Sequence, residues 1–308
     1  VFVRVRAEGR PWRDARVRPA KDGRFRLSVR LKPGLMRYEV EFGSRRGGVE
    51  TVLRRATNVV CGDAYLIQGQ SNAVATDWGD GEPGLQSPWI RTFGGPSGDP
   101  NGIHRWGEAV PRNPDGEQLQ IGYWGMELAR RLVESHRIPI CILNGAVGGT
   151  RIDQHQRNPA QPDDRSTLYG RLLWRVQKAR LTHGIRGILW HQGEADSGSE
   201  QLASTYGERL ARMVKDLRAD LGAGEVPFVA GKLGEFLKRE DKDGKPSLWP
   251  KVNDQIGTIS KSVPHAAAVE STGLKHKGDV VHFDTPSLRE FGERYAEAMK
   301  KLQASAAK

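Results

Sequence analysis

The sequence predicts an α/β protein: a small β-rich unit over residues 1–58, then a larger domain over residues 59–308 whose parallel sheet is covered by helices on both faces. Three observations carry that expectation. Residues 1–58 alternate apolar and charged side chains with a period of two, the spacing of half-buried strands. From residue 59 onward, short apolar runs alternate with segments whose apolar residues recur every three or four positions, the β-α-β order of a parallel sheet. Finally, 308 residues at 37% hydrophobic and 28% charged make a globular chain long enough for one large and one small domain.

In the first unit, Phe25, Leu27, Val29 and Leu31 alternate with Arg24, Arg26, Ser28 and Arg30. Tyr38, Val40 and Phe42 alternate with Glu39 and Glu41, and turns are expected at Lys21-Asp22-Gly23 and Lys32-Pro33-Gly34. The pattern reads as a β-sandwich-like unit, partial at its start. Val1 already stands in a strand pattern, so the N-terminus reads as a processed or trimmed end. Residues 1–60 hold 16 Lys/Arg against 6 Asp/Glu and so carry +10 of the formal net charge of +11. A basic patch suits nucleic acid, anionic polysaccharide or an anionic membrane. The aromatics are not arranged among these arginines as on a base-stacking platform. The expectation is therefore a solvated, Arg-rich sheet face, with no nucleic-acid partner.

In the second part, strands are expected at Ala64–Ile67, Ile140–Leu143, Gly187–Trp190, Phe228–Ala230 and Ala266–Val269. One buried stripe per helix is expected from Ile121, Trp124, Leu128 and Leu132; from Leu168, Leu172 and Val176; from Leu202, Tyr206, Leu210, Met213 and Leu217; and from Leu288, Phe291, Tyr295, Met299 and Leu302. The Gly/Pro-rich stretch from Asp77 to Asp115, with Trp78, Trp89 and Trp106, reads as a long functional loop. No apolar run approaches the ~18–20 residues of a membrane span. Cys61 and Cys141 show neither CxxC nor zinc-finger spacing; inert core thiols are expected, with a single disulfide as the other possibility.

In parallel sheets chemistry collects at the carboxyl ends of the strands. Gly69-Gln70-Ser71-Asn72 follows the first apolar run: the glycine permits a tight turn, and the backbone N–H groups after the serine can stabilise an oxyanion. Asn144-Gly145-Ala146-Val147-Gly148-Gly149-Thr150 follows the second, with glycines that allow close backbone approach. Trp190-His191-Gln192-Gly193-Glu194 places an amide at a third strand end, where Gln192 can donate an N–H. In Asp279-Val280-Val281-His282 an acid and an imidazole three residues apart can share one face. The Asp can hold the His in one tautomer, and an imidazole is the side chain suited to general-base work near pH 7. Each motif alone also fits a plain structural role: an N-cap, a turn, a hydrogen-bonded loop, an Asp–His contact. His276 and Asp284 keep a metal reading open beside His282. The joint pattern at four strand ends is far more specific than any part.

With those four blocks the sequence resembles the sialate O-acetylesterase and plant-type carbohydrate esterase branch of the SGNH hydrolases. Gly62-Asp63 leading to Gly69-Gln70-Ser71-Asn72 matches the nucleophile block, Gly148-Gly149-Thr150 the glycine block, and Trp190-x-Gln192-Gly193-Glu194 the block in which Gln replaces an Asn. Asp279-x-x-His282, followed by the helix from Leu288, matches the last block. The resemblance spans about residues 59–300. It implies a flavodoxin-like three-layer α/β/α fold and a serine acetylesterase, a carboxylic ester hydrolase without cofactor or metal, acting on acetylated sugars or polysaccharides of xylan, pectin or sialic acid type. It further implies Ser71 as nucleophile, His282 as base, Asp279 as its orienting acid, and an oxyanion hole from the Ser71 and Gly149 N–H groups and the Gln192 side chain. Gln70, Asn72, Gly148, Arg151, His191, Glu194, Trp78 and Trp106 are the substrate-binding candidates, and the family's substrates imply a secreted or periplasmic protein.

The sequence departs from the family pattern at Ala73, where Met is usual, at His191, where Tyr is usual, and at His155, where Trp is common. The last two are expected to reshape the sugar pocket. Two other readings stay open. One is an α/β-hydrolase-type esterase, because Gly69 to Ala73 nearly spells G-x-S-x-G. The other is a non-catalytic carbohydrate-binding protein on the same fold, with the tryptophans stacking on sugar rings.

Overall fold

A computed structural model describes residues 1–76, 86–94, 105–112, 119–238, 240, 244 and 246–306. The chain divides into two compact units: Val1–Gly62 with His136–Pro139, and Asp63–Ser135 with Ile140–Lys308.

The first unit is one antiparallel sheet of order β2-β1-β3-β4, formed by β1 (Phe2–Ala7), β2 (Arg10–Arg16), β3 (Gly34–Arg46) and β4 (Val49–Cys61). Alternation sorts its faces. Val5, Ala7 and Tyr38 form a small buried core. On the other face Arg4 bonds Glu41 (3.2 Å) and Glu50 (2.6 Å), Arg16 bonds Glu50 (3.1 Å) and Arg55 bonds Glu39 (2.7 Å). The arginines thus form a cross-strand ion-paired face. The expected strand at Phe25–Leu31 does not form: residues 24–33 belong to no ladder. Val29 and Leu31 instead pack on the Val5–Tyr38 core, and Phe25 stacks on Phe42 with ring centroids 5.7 Å apart. Both edges of β3 are already occupied, so the alternating segment satisfies its apolar side by lying over the sheet instead of pairing in it. Among the described residues this unit is a single sheet and not a sandwich.

The second unit is a seven-stranded sheet of order β11-β10-β9-β5-β8-β6-β7. Its strands are β5 (Asp63–Gly69), β6 (Ile90–Phe93), β7 (Trp106–Glu108), β8 (Ile140–Asn144), β9 (Ile185–His191), β10 (Phe228–Gly231) and β11 (Ala266–Val269). Every pairing is parallel except β6 with β7. The helices are α1 (Ser71–Val74), α2 (Tyr123–His136), α3 (Leu168–Lys178), α4 (Glu200–Asp220), α5 (Trp249–Gly257) and α6 (Thr285–Ala306). Leu66, Ile188, Trp190 and Phe228 face α3, α4 and α5 in one core. On the opposite face α2 and α6 meet through stacked Trp124 and Tyr295, centroids 4.5 Å apart, and Met299 lies against Gly187. The strands and amphipathic helices read from the sequence recur here. Among the strands and α-helices of this unit, those absent from the sequence reading are β6 and β7, both within the expected long loop, the short α1, and α5. Cys61 and Cys141 are not joined in a disulfide. No helix among the described residues is long and apolar enough to cross a membrane.

The site follows from register. Central β5 pairs β8 on one side and β9 on the other, with Ile67 opposite Asn144 and Gly69 opposite His191. The three strands end side by side, where the chain order reverses about β5, so a crevice opens beyond their carboxyl ends. Gly69 has φ +141°, and a Cβ there would stand 2.0 Å from the His191 carbonyl oxygen. Gly69→Ala should therefore lose at least about 2 kcal/mol of stability through backbone strain and overlap. A urea midpoint unchanged from wild type would contradict the register.

Candidate active site

Ser71 opens α1 directly after β5, half-buried, and its Oγ lies 2.9 Å from His282 Nε2. His282 Nδ1 lies 2.6 Å from Asp279 Oδ2. The other Asp279 oxygen accepts the backbone N–H groups of Val281 (3.0 Å) and His282 (2.8 Å). Burial alone would raise the Asp279 pKa, but those backbone N–H groups and the imidazole bring it down to about 2. The carboxylate therefore stays ionised through the working range and accepts the Nδ1–H, which leaves Nε2 bare toward the serine. The expected Ser71, Asp279 and His282 are thus brought together in one hydrogen-bonded chain.

This chain sits in a cleft of about 780 Å³ lined by Gln70, Ser71, Gly149, Glu194 and His282, with Ser197, Ser247 and Leu248 on its further walls. Gly149 has φ +72°, and a Cβ built on Gly148 would lie 3.7 Å from the Ser71 Cβ, so the glycine loop abuts the serine. Among the described residues no acceptor takes the Ser71 or Gly149 N–H. Ser197, Ser247 and Leu248 carry no periodic or motif signal that sequence reasoning could have used.

Other expected residues lie elsewhere. Gln192 is fully buried and does not line the cleft: its Nε2 faces Thr150 O (2.9 Å), Asp196 Oδ2 (2.5 Å) and Gln70 Oε1 (3.1 Å). Two hydrogens already meet three protein acceptors, so the amide ties the β9 end to the glycine loop from beneath instead of facing an oxyanion. Gln70 Oε1 is held by that amide and by the Gly193 and Ala195 N–H groups, which anchors the Gln70 side chain at the cleft wall. His191 is buried against Phe283 and Phe291, and His155 against Trp190; neither shapes the pocket. Burial takes the His155 pKa down to about 3, so it is neutral. Arg151 points outward to Asp153 at 3.0 Å. Trp106 is exposed and tilts against Phe93, away from the cleft lining. Trp78 lies outside the described residues. Asn72 turns inward to Val281, Phe283 and Glu194.

The metal reading finds other work for its residues. His276 Nδ1 accepts from Gly278 and Val280 N–H, and Asp284 Oδ1 from Ser287 N–H. Among the described residues no group of three or more His, Cys, Asp or Glu side chains is gathered to hold a metal.

Comparison with known proteins bears on the family and the fold. A model of the family described as carbohydrate esterase, sialic acid-specific acetylesterase matches residues 103–301. A protein of Arabidopsis thaliana, named as a probable carbohydrate esterase, is 28% identical over 202 residues, covering 63% of this chain and 70% of the relative. The crystal structure of a carbohydrate acetylesterase from Xanthomonas citri superposes with a TM-score of 0.65 at 21% identity, covering 98% of this chain and 68% of that one. NanS superposes with a TM-score of 0.59 at 17% identity, covering 79% of this chain and 98% of that one. The last two likenesses are of fold.

The depressed Asp279 pKa has a consequence for stability. Its folded-state value lies below the ordinary 3.8, so its contribution is present above about pH 4 and is lost as pH falls through about 2. Asp279→Asn should unfold more readily than wild type at neutral pH, and the two should converge toward pH 2. A difference in urea midpoint that is constant from pH 7 to pH 2 would contradict the hydrogen-bonded carboxylate.

Proposed function

The chain belongs to the carbohydrate esterase family of sialic acid-specific acetylesterases, and from that premise we propose that it removes O-acetyl groups from acetylated sugars or polysaccharides with Ser71 as nucleophile, His282 as general base and Asp279 as the acid that orients it. The observation that carries the reading is the unbroken chain from Ser71 Oγ to His282 (2.9 Å) to Asp279 (2.6 Å) at a cleft wall.

In this mechanism Ser71 Oγ attacks the acetyl carbonyl carbon while its proton passes to His282 Nε2. The carbonyl oxygen becomes an oxyanion beside the Ser71 and Gly149 N–H groups, donors that are fixed before reaction and spend no energy on reorganising. The imidazolium, stabilised by ionised Asp279, returns the proton to the sugar oxygen as the C–O bond breaks. Water, deprotonated by the same imidazole, then attacks the acetyl-serine; as the acyl C–Oγ bond breaks the imidazolium returns that proton to Ser71 Oγ, and acetate leaves. The Gln192 amide takes no direct part; it supports the loop that carries Gly149. Xylan, pectin and sialic acid esters all present the acetyl group this chemistry needs.

Ser71→Ala should keep the fold and lose ~10³-fold or more in kcat. Acetate release is measured from p-nitrophenyl acetate and from acetylated xylan, acetylated pectin and O-acetylated sialic acid, which also ranks the substrates. Near-wild-type acetate release by Ser71→Ala overturns the proposal. A chelator should leave the wild-type rate unchanged, because no step uses a metal.

A further inference from the structure

We propose that Asn72, oriented by the buried Glu194 carboxylate, is a positioning residue that fixes His282 at the correct distance from Ser71; the role rests on the reading of those two residues as base and nucleophile. Asn72 directly follows Ser71 and is 2% exposed. Its side chain holds the backbone on both sides of His282: Nδ2 donates to Val281 O at 3.0 Å, and Oδ1 accepts from Phe283 N at 3.2 Å. Its second Nδ2 hydrogen goes to Glu194 Oε1 at 2.5 Å, and its own carbonyl accepts from Trp124 Nε1 at 2.8 Å. The residue beside the nucleophile therefore grips the peptide groups beside the base.

Among the described residues, several further hydrogen bonds of the His282 loop are internal to it, and Lys275 N–H donates to Ser287 Oγ in α6 at 2.8 Å. Asp279 caps the Val281 and His282 N–H groups, His276 Nδ1 accepts from Gly278 and Val280, and Lys277 N–H donates to His282 O. These give the loop its shape but do not place it against Ser71. Asn72 contributes to that placement together with Phe283, which packs on His191, Phe236 and Phe291, with Val281, which packs on the main core, and with His276, whose ring tilts against Phe236. Apolar packing is non-directional and leaves more positional freedom than paired hydrogen bonds do. The bidentate amide removes that freedom, and a misplacement of about 1 Å can cost ~10²-fold in rate.

Glu194 supplies direction. An amide turned end for end would set its oxygen against Val281 O and the carboxylate, two acceptors. The carboxylate is kept charged for this purpose: burial raises its pKa, but His191 Nε2, 3.2 Å away, and the Asn72 amide bring it below the ordinary value. Glu194 borders the cleft, yet its bonded oxygen is spent on Asn72 and His191 and not on substrate.

The test compares wild type, Asn72→Ala, Asn72→Asp, Glu194→Gln and the double variant Asn72→Asp with Glu194→Gln on p-nitrophenyl acetate, with rates taken per folded molecule by circular dichroism. Asn72→Asp keeps the volume but replaces the donor with a second carboxylate facing Glu194. We expect kcat to fall ~10²-fold in Asn72→Ala and further in Asn72→Asp, with KM within about twofold of wild type. Adding Glu194→Gln to Asn72→Asp restores a donor facing the new carboxylate and should recover at least about tenfold in kcat. A kcat within about threefold of wild type in both Asn72 variants overturns the proposal. So does a rise in KM at constant kcat, which would place Asn72 on the substrate, or a loss of rate that vanishes once unfolded protein is discounted. An active Ser71→Ala enzyme instead overturns the nucleophile assignment itself, so the two failures are distinguishable.

Discussion

The hydrogen bond between Ser71 Oγ and His282 Nε2 joins residues 211 positions apart, and most of the larger unit exists in the arrangement that closes it. Ser71 is set by β5, a central strand with parallel neighbours on both sides, and by the turn at Gly69 that lets β5 approach β9. His282 is set from the other end of the chain, by a loop anchored below at Phe283 and closed by α6, where Asp284 caps Ser287. Neither end could place the pair alone. A parallel sheet buries its strands on both faces and cannot shift register without moving every side chain, so it supplies a rigid floor between two distant segments.

Beneath that floor, buried polar side chains do what regular backbone ladders cannot do at strand ends. Arg175 donates to the carbonyls of Asn144 and Phe93, joining the ends of β8 and β6. Asn144 in turn donates to Ala73 and Ile121 and accepts from Ala146. Thr150 donates to Val147 O, so its oxygen must accept from His155, which fixes the proton of that neutral imidazole on Nε2. With Gln192 these groups hold the loop of Gly148 and Gly149 from inside the protein. Leaving any one partner buried and unpaired costs about 1–3 kcal/mol, which ties the glycine loop to one geometry.

Much of this was legible in the sequence where side-chain periodicity is strong. Strands β5, β8, β9, β10 and β11 are apolar runs, and α2, α3, α4 and α6 carry clear stripes. β6 is four residues with the buried Arg91 inside it, which bonds Glu108 at 2.8 Å, and it hides among glycines and prolines. Only Val252, Asn253 and Ile256 of α5 are buried, too few for a stripe to stand out. The period-two pattern at Phe25–Leu31 misled because alternation records which side faces apolar matter, not whether the backbone pairs. The same distinction applies at the site. Position at a strand end marked Ser71, Asp279 and His282, which meet, but it equally marked Gln192, His191 and Glu194. Gln192 and His191 leave the strand end toward the interior, and Glu194 at the cleft border bonds inward to Asn72 and His191; a linear sequence does not record those turns.

The two buried carboxylates at the β9 end show how closely this interior is balanced. Glu194 and Asp196 are two positions apart, yet their environments push them in opposite directions. Glu194 has the His191 ring beside it and is held below its ordinary pKa in spite of burial. Burial dominates for Asp196 and raises it to about 6, although the Gln192 amide and the Ile152 N–H bond it. Linkage gives them opposite signs. Asp196, raised from 3.8, contributes stability below about pH 4 that is lost as pH rises through about 6, whereas the stability from Glu194 is present above its ordinary range and is lost in acid. The contributions offset each other across the acid range instead of adding. Keeping Glu194 charged orients Asn72 toward the His282 loop, while Asp196, which accepts from the Gln192 amide and the Ile152 N–H, carries a charge that burial disfavours and that is lost as pH falls through about 6. One charge persists in mild acid where a direction must be imposed, and the other is given up there.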